Sequence, residues 1–369
     1  MIDRQTKGDC TLHPTRRTLL RGALATAAAG ALHGVPKALG GATACEIAPG
    51  WEALAPMPFP VQEIYPSLFK QDEREYVINA GGLRPGAGQP FGISNKTSIF
   101  DVAANRWSEG PALPQARHHL ALVFHDGALY AISGFARDGD GGWQMQRSLW
   151  RLTSLSGMWE ELSQMNAPQS EAVSVSDGDV IRMIGGRTPK GRSNKEWTDQ
   201  TDTSLHQVYN PASNEWSFAA PLPDPRNSSA GVVHGGKVYV ISGRTVAGGN
   251  NPAVHVYDGA EDRWLTLAPL PGPTRQKAPQ GQGGLAAAVW GDKIYAFGGE
   301  WFSGSSGVYS DVWEYSINQD TWRSVGHMPR PRHGLGAVAT SKGIITVGGA
   351  LQASGRGTSD AMDLFVPAT

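Results

Sequence analysis

The sequence has few cysteines, almost no net charge and no long apolar segment. Its 369 residues include two cysteines, Cys10 and Cys45, so a disulfide framework is excluded. Positive and negative charges nearly cancel, at a net charge of −1, and no basic run follows residue 44. We therefore expect no nucleic-acid partner. The apolar stretch 22–32 is alanine-rich and shorter than a membrane span, so we also expect no transmembrane segment.

Motifs of familiar catalytic chemistry are also missing from the sequence. It contains no Ser-His-Asp nucleophile motif and no glycine loop that opens a helix to hold phosphate. His118 and His119 are neighbours, and neighbouring strand residues point to opposite faces, so we do not expect them to share an ion. The remaining histidines are scattered along the chain. We therefore expect neither a metal nor a cofactor.

Glycine and proline, by contrast, are abundant, and glycine pairs recur regularly. The 47 glycines and 25 prolines favour many short strands joined by tight turns. Six apolar runs end in such a pair or its Ser-Gly equivalent, at Gly81-Gly82, Ser133-Gly134, Gly185-Gly186, Ser242-Gly243, Gly298-Gly299 and Gly348-Gly349. Their second members are 52, 52, 57, 56 and 50 residues apart. A period near fifty with four strands per repeat is typical of a β-propeller, whereas an ordinary antiparallel sandwich explains no fixed long period.

Tryptophans mark the same repeat in a different phase. Five of them follow a glycine pair, namely Trp107, Trp159, Trp216, Trp264 and Trp322. Six positions earlier stand short hydrogen-bonding residues, Asp101, Thr153, Asn210, Asp258 and Ser316. We predict that the tryptophans pack between blades and that the short residues start turns. Trp51 precedes the first pair and no tryptophan follows the last, so we predict that residues 50–54 supply the outer strand of the last blade.

The chain resembles the kelch-repeat family in the strands before its glycine pairs, which are YVINAGG, LYAISG, VIRMIGG, VYVISG, IYAFGG and GIITVGG. The resemblance covers essentially all of the chain after residue 44. It implies an all-β fold, a six-bladed kelch β-propeller of four-stranded antiparallel blades, and the phase of Trp51 adds that the N-terminal strand closes the last blade. Copper radical oxidases of the galactose oxidase kind share such a fold, but their crosslinked cysteine has no counterpart within these repeats.

The first 44 residues are expected to be an export address and not part of the fold. Arg16 and Arg17 within TRRTLLR, the mild apolar stretch and Ala42-Thr43-Ala44 resemble a bacterial twin-arginine signal with its cleavage site. The resemblance implies a signal peptide over 1–44, a propeller over 45–369 and a periplasmic or secreted protein. Cys45 would then begin the mature chain, which leaves lipidation open. A chance arginine pair in a disordered N-terminus is the alternative interpretation.

Two sets of loops are expected to meet near the propeller axis. The first set follows the glycine pairs and contributes Arg84, Arg137, Arg187, Arg244, Glu300 and Trp301. The second set leads into the innermost strands, where the corresponding positions are Glu63, His119, Glu171, Ser228, Gly284 and Gly334. If these side chains converge, they form an acid–base and anion-binding surface. Solvated loop charges are the alternative.

Two further features leave alternatives open. Arg117, Arg226 and Arg332 each lie three residues after a proline, a recurrence that suits either a structural role or ligand contact. The loop 187–205 is the longest and includes Trp197. It is expected either to fold over the face as a lid or to be flexible.

Two functions fit these residues. The first is a non-catalytic exported propeller, a monomer that binds a carbohydrate or a protein on its loop face. The second rests on similarity in export, repeat number and size to bacterial kelch-type sialic acid epimerases (mutarotases), and implies anomer interconversion of an acidic sugar such as N-acetylneuraminate. The acid and base would then come from Glu63, Glu171, Glu300 or His119. The ligand would be held by Arg84, Arg187, Arg244 and Trp301.

Overall fold

The structure, a computed structural model, describes residues 50–86, 92–137, 142–302 and 304–368. The expected signal peptide, with Arg16, Arg17 and the cleavage site before Cys45, lies outside these residues. Within them, no helix is long and apolar enough to span a membrane. One short 3-10 helix, Trp197–Asp199, is the single helical element of the described ranges.

The fold is a ring of six blades, each a four-stranded antiparallel sheet. From the innermost strand outwards, blade 1 consists of Ser67–Gln71, Arg74–Ala80, Thr97–Asp101 and Arg106–Gly110; blade 2 of Ala121–His125, Ala128–Ile132, Leu149–Leu152 and Glu160–Glu161; blade 3 of Val173–Asp177, Val180–Ile184, His206–Asn210 and Glu215–Phe218; blade 4 of Ala230–His234, Lys237–Ile241, Val254–Asp258 and Arg263–Leu267; blade 5 of Ala286–Trp290, Lys293–Phe297, Asp311–Ser316 and Thr321–His327; and blade 6 of Gly336–Thr340, Gly343–Val347, Met362–Phe365 and Trp51–Ala53. The innermost strands contact one another around a central channel. The predicted six-bladed propeller is therefore confirmed.

Four short hairpins extend the loops that follow the glycine pairs. They are Leu83–Arg84 with Gly92–Ile93, Phe135–Arg137 with Trp143–Met145, Arg187–Pro189 with Gln200–Asp202, and Glu300–Trp301 with Gly307–Val308. The third hairpin carries the 3-10 helix in the loop 187–205. This loop is therefore ordered as a hairpin that projects from the loop face of blade 3.

The N-terminal strand completes blade 6, as the phase of the tryptophans predicts. Trp51–Ala53 runs antiparallel to Met362–Phe365, with Trp51 opposite Phe365. The Trp51 ring is 9% exposed and packs on Phe365 of its own blade and Phe297 of blade 5. The first and last parts of the propeller thus share one sheet. Trp51–Ala53 covers the outer edge of Met362–Phe365, which would otherwise be an open edge of the blade.

The repeated tryptophans join each blade to the one before it. Their indole N–H groups donate to backbone carbonyls 44 to 54 residues earlier, in the pairs Trp107–Ala55, Trp159–Pro111, Trp216–Ser163, Trp264–Ala220 and Trp322–Ala268. Buried indole groups usually find such a partner. The predicted position between blades is confirmed, and the Trp107 bond links blade 1 to the end of the closing strand.

The three arginines after the prolines have the structural role. Arg117, Arg226 and Arg332 are at most 1% exposed. Their guanidinium groups bond the blade that follows, through Ser148 for Arg117, the carbonyl of Ser242 and the ring of His255 for Arg226, and Thr346 and Asp363 for Arg332. Burial lowers the pKa of each guanidinium to about 10. The ligand-contact alternative for these arginines is therefore not needed.

Candidate functional site

A ring of left-handed backbone surrounds the propeller axis on the loop face. One residue per blade has a φ between +50° and +66°, at Glu63, His119, Glu171, Ser228, Gly284 and Gly334. Five backbone N–H groups of this set donate to the carbonyl of the preceding member around the ring, at 2.8 to 3.1 Å. The positions aligned from the sequence are therefore equivalent in the structure.

Gly334 illustrates why the residues at these positions cannot be replaced freely. A Cβ atom at position 334 would lie 2.9 Å from the carboxyl carbon of Glu63, which is too close for a stable contact. The left-handed backbone disfavours a side chain there as well. Glycine in blade 6 thus leaves room for the carboxylate that blade 1 supplies.

Six charged or titratable side chains, one from each blade, form a closed circle at this face, which we call the ion ring. In blade order its members are Glu63, His119, Glu171, Arg244, Glu300 and His333. Carboxylates alternate with basic groups around the whole circle. Each carboxylate therefore has a basic neighbour on both sides.

The contacts of the ion ring differ in length. His119 Nε2 lies 2.9 Å from Glu63 Oε2 and 3.8 Å from Glu171 Oε1. Arg244 Nη2 lies 4.0 Å from Glu171 Oε2, and its Nη1 pairs closely with Glu300. His333 Nδ1 closes the circle, at 3.4 Å from Glu300 Oε1 and 3.7 Å from Glu63 Oε1.

Arg187 lies beside the ion ring and is less completely paired. Its Nε is 3.3 Å from Glu171 Oε2, yet Nε and Nη1 make no hydrogen bond within the part of the chain that the structure describes. The guanidinium is 3.6 Å from the ring centre of Trp197, which the hairpin of blade 3 brings over it. Arg187 is 3% exposed, so its spare donors are held in a site with little water.

Five of these charged or titratable side chains line a cavity of about 450 Å³ that opens on the loop face. Its polar floor includes Glu63, His119, Arg187, Arg244 and Glu300. Its sides are formed by Trp143, Trp197 and Phe302, together with the backbone around Ser354. A volume of this order suits a small molecule that combines polar groups with an apolar face.

Electrostatics keep the carboxylates of Glu63 and Glu171 ionised. Burial raises the pKa of Glu63. The charge and the hydrogen bond of His119, together with the charges of His333 and Arg244, outweigh burial and hold this pKa well below its ordinary value. Burial also raises the pKa of Glu171, and Arg187, His119 and Arg244 outweigh it, so the net pKa is lowered. Burial and both carboxylates raise the pKa of Tyr65, whose ring lies 6.3 Å from that of His119. Glu63 and Glu171 are therefore weak bases and Tyr65 stays neutral.

Of the eight residues predicted for the site, the structure brings six together: Glu63, His119, Glu171, Arg187, Arg244 and Glu300. Arg84 and Trp301 lie outside the cavity. Leu83, Arg187, Arg244 and Glu300 each directly follow a glycine pair and line the cavity. Arg84 and Trp301 stand one position later in their strands, where side chains point to the opposite face. Arg84 lies over the ring of Phe59, and Trp301 packs against Tyr309.

The expectation that His118 and His119 point apart is wrong. Their Nδ1 atoms are 2.6 Å from each other. Strand alternation does not apply, because the φ of +50° at His119 turns its ring back towards His118. Burial, and after it the charge of His119, lowers the pKa of His118 well below the ordinary value, so His118 is neutral.

Sequence reasoning missed His333, Trp143 and Phe302 as parts of the site. His333 looked like one scattered histidine, although it directly precedes Gly334 at an aligned position. Trp143 and Phe302 lie in loops of unequal length, where no repeat spacing places them. The sequence signal for His333 is its position directly before Gly334, because this glycine brings no side chain to the aligned position of blade 6.

Comparison with known proteins places the repeats in a family. Residues 173–366 match the KLHDC2/KLHL20/DRC7 Kelch-repeats domain. The chain is 23% identical to Kelch-like protein terF of Aspergillus terreus over 281 residues, which are 73% of this chain and 58% of the relative. It is 30% identical to beta-scruin of Limulus polyphemus over 186 residues, which are 48% of this chain and 19% of the relative. The chain thus spans less than two thirds of the length of both relatives.

Among solved structures, the one titled "Structure of YjhT" superimposes with a TM-score of 0.67. The superposition covers 84% of this chain and 95% of that chain, at 18% sequence identity. Identity at this level shows a shared fold and nothing finer. From its blades, its glycine pairs and the matching family, this chain belongs to the kelch-repeat β-propellers, a family of scaffolds that bind proteins and other ligands.

Proposed function

We propose that this propeller binds a small acidic carbohydrate in the cavity above the ion ring. The observation that carries the proposal is Arg187, a buried guanidinium with two donors that no described residue accepts. A ligand carboxylate can accept a charge-assisted hydrogen bond from such a donor. Arg244 is less suited to this task, because its Nη1 is already paired closely with Glu300.

The walls of the cavity support a sugar as the body of the ligand. Trp143 and Trp197 present aromatic surface beside the polar floor, and Phe302 adds more at the mouth. An aromatic face suits the C–H side of a pyranose ring, and the polar floor suits its hydroxyl groups. A sialic or uronic acid combines such a ring with one carboxylate. A protein partner would have to place an acidic side chain or a terminal carboxylate in the same cavity.

The binding test is calorimetry with matched sugars. Galacturonate and N-acetylneuraminate should bind, whereas galactose, which lacks the carboxylate of galacturonate, should bind more weakly. Arg187→Ala should weaken binding of the acids by roughly 1.5–3 kcal/mol, the range for a hydrogen bond to a charged group. Arg192→Ala is the matched control, since Arg192 is exposed in the same loop. Acid binding that survives unchanged in Arg187→Ala places the site elsewhere.

Catalysis of anomer interconversion is a second candidate, and one observation favours it. His119 lies between the carboxylates of Glu63 and Glu171, which hold the imidazole in place. Ring opening of a hemiacetal needs a proton acceptor and a proton donor, and histidine is the side chain that most often serves both. The low pKa of Glu63 makes that carboxylate a positioning group and a poor base.

Proton NMR of anomer exchange separates an enzyme from a binder. If the protein is an enzyme, exchange of a bound acid exceeds the spontaneous rate and His119→Gln removes most of the excess. Glu63→Gln should reduce the rate less, because the amide still contacts the imidazole. A parent rate equal to spontaneous exchange leaves the protein a binder.

We also propose export by the twin-arginine route, on the basis of Arg16, Arg17 and the small residues before Cys45. Replacing both arginines by lysine should retain the precursor in the cytoplasm of a bacterial host. Processed protein in the periplasm of the double variant would point to another route.

A further inference from the structure

His333 is held so that one nitrogen must donate and the other faces acceptors. Its Nε2 lies 3.0 Å from the carbonyl oxygen of Gln352 and 2.9 Å from that of Ser354. Carbonyls only accept, so Nε2 carries a proton. Nδ1 faces the carboxylates of Glu63 and Glu300, which also only accept when ionised. An Nδ1 lone pair would be repelled there, whereas an Nδ1–H is attracted by both carboxylates.

His119 lies on the other side of Glu63 in the ion ring and also faces two carboxylates. Its Nε2 faces Glu63 and Glu171, and its Nδ1 lies 2.6 Å from that of His118, which is neutral. With both nitrogens protonated, His119 donates to the lone pair of His118 and to Glu63. Each ring histidine thus lies between two carboxylates contributed by neighbouring blades.

The charge of the site depends on these two protons. Glu63, Glu171 and Glu300 supply three negative charges, and Arg187 and Arg244 supply two positive ones. Asp202, bonded to Asn227 near Arg187, adds a further negative charge at the edge. With neutral imidazoles, the site is negative before any acid enters. An extra carboxylate in so buried a place is strongly unfavourable unless positive charge accompanies it.

We propose that the site binds its acidic ligand together with protons held on His119 and His333, so that affinity falls as pH rises. The inference rests on the proposed function, since it concerns the same cavity. The ligand carboxylate stays ionised throughout the neutral range, so the loss of affinity comes from the protein. As the imidazoles lose their protons, the site becomes more negative and repels the acid.

The test is calorimetry of galacturonate and N-acetylneuraminate with the unaltered protein between pH 5.5 and 8.5. By linkage, each proton taken up changes affinity by as much as about tenfold per pH unit, so affinity at pH 8.5 should be at least about tenfold weaker than at pH 5.5. Near the middle of the range, the binding heat should differ between two non-carboxylate buffers of different ionisation enthalpy, because protons are taken up. His333→Gln keeps a donor for the two carbonyls but cannot carry charge, and should flatten the profile. His234→Gln, outside the ion ring, is the control.

The outcomes separate this inference from the proposed function. Acid binding with the same affinity at every pH, and with equal heats in both buffers, overturns the proton coupling and leaves the binding function intact. If neither acid binds at any pH, both ideas fail. If His333→Gln does not fold, the buffer comparison on the unaltered protein still decides.

Discussion

Replacing Trp51 by alanine tests whether the N-terminal strand closes the ring. The indole is 9% exposed, lies 5.0 Å from the ring of Phe365 and meets Phe297 edge-on at 6.0 Å. It therefore contacts both sides of the boundary between blades 5 and 6. Removing a buried tryptophan side chain costs roughly 3–5 kcal/mol through lost burial and the cavity left behind. We expect the free energy of unfolding to fall by about that amount.

The assay is equilibrium unfolding in guanidinium chloride, followed by near-ultraviolet circular dichroism. Glu52→Ala is the control, because Glu52 is exposed on the same strand and should change stability by less than about 0.5 kcal/mol. Trp51→Phe should keep part of the stability by retaining an aromatic ring against Phe365. A loss below about 1 kcal/mol for Trp51→Ala, or one equal to that of Glu52→Ala, would refute closure by this strand.

Two further predictions concern the site and the blade boundaries. A Cβ at position 283 would lie 2.7 Å from Cδ of Arg244. Gly283→Ala should therefore displace the Arg244 side chain, break its pair with Glu300 and weaken acid binding in calorimetry. Gly272→Ala is the control and should not weaken binding, because a Cβ at position 272 would have no atom within 4 Å. His206 is neutral in the fold, because burial, and after it Arg182, lowers its pKa from the ordinary 6.5 to about 4. The unfolded chain binds this proton first as pH falls, so the contribution of His206 to stability is lost between about pH 6.5 and pH 4, by about 3 kcal/mol in total. Denaturant unfolding of His206→Asn should show a smaller loss across this range than the parent, and an equal loss contradicts the argument.

The sequence predicts the propeller well because its determinants are local and repeated. The glycine pairs end strands at a fixed period, and the tryptophans recur six residues after a turn residue. Asp101 shows the turn directly, since its Oδ1 accepts from the N–H groups of Ala103 and Ala104. Closure by residues 50–54 follows from the same periodicity, because one strand is missing at the end and one is spare at the start.

The site can be predicted only in part, because a shift of one position along a strand decides whether a side chain points towards the axis or away from it. Arg187, Arg244 and Glu300 directly follow a glycine pair and reach the axis, whereas Arg84 stands one position later and points away. His118 and His119 meet because of a left-handed residue, which no strand pattern indicates. The alternation of charges in the ion ring arises from different blades, so it becomes visible only when the ring closes.

Closure by Trp51–Ala53 also sets the order in which the molecule is completed. This strand is the first part of the propeller to leave the ribosome, and its partner Met362–Phe365 is among the last. Until that partner is synthesised, the backbone N–H and C=O groups of the early strand have no partner strand. An unpaired strand edge of this kind can associate with other chains. The Trp107 bond to Ala55 joins blade 1 to the segment that follows this early strand. A chain truncated before residue 362 therefore lacks the strand that pairs with Trp51–Ala53 in the last blade.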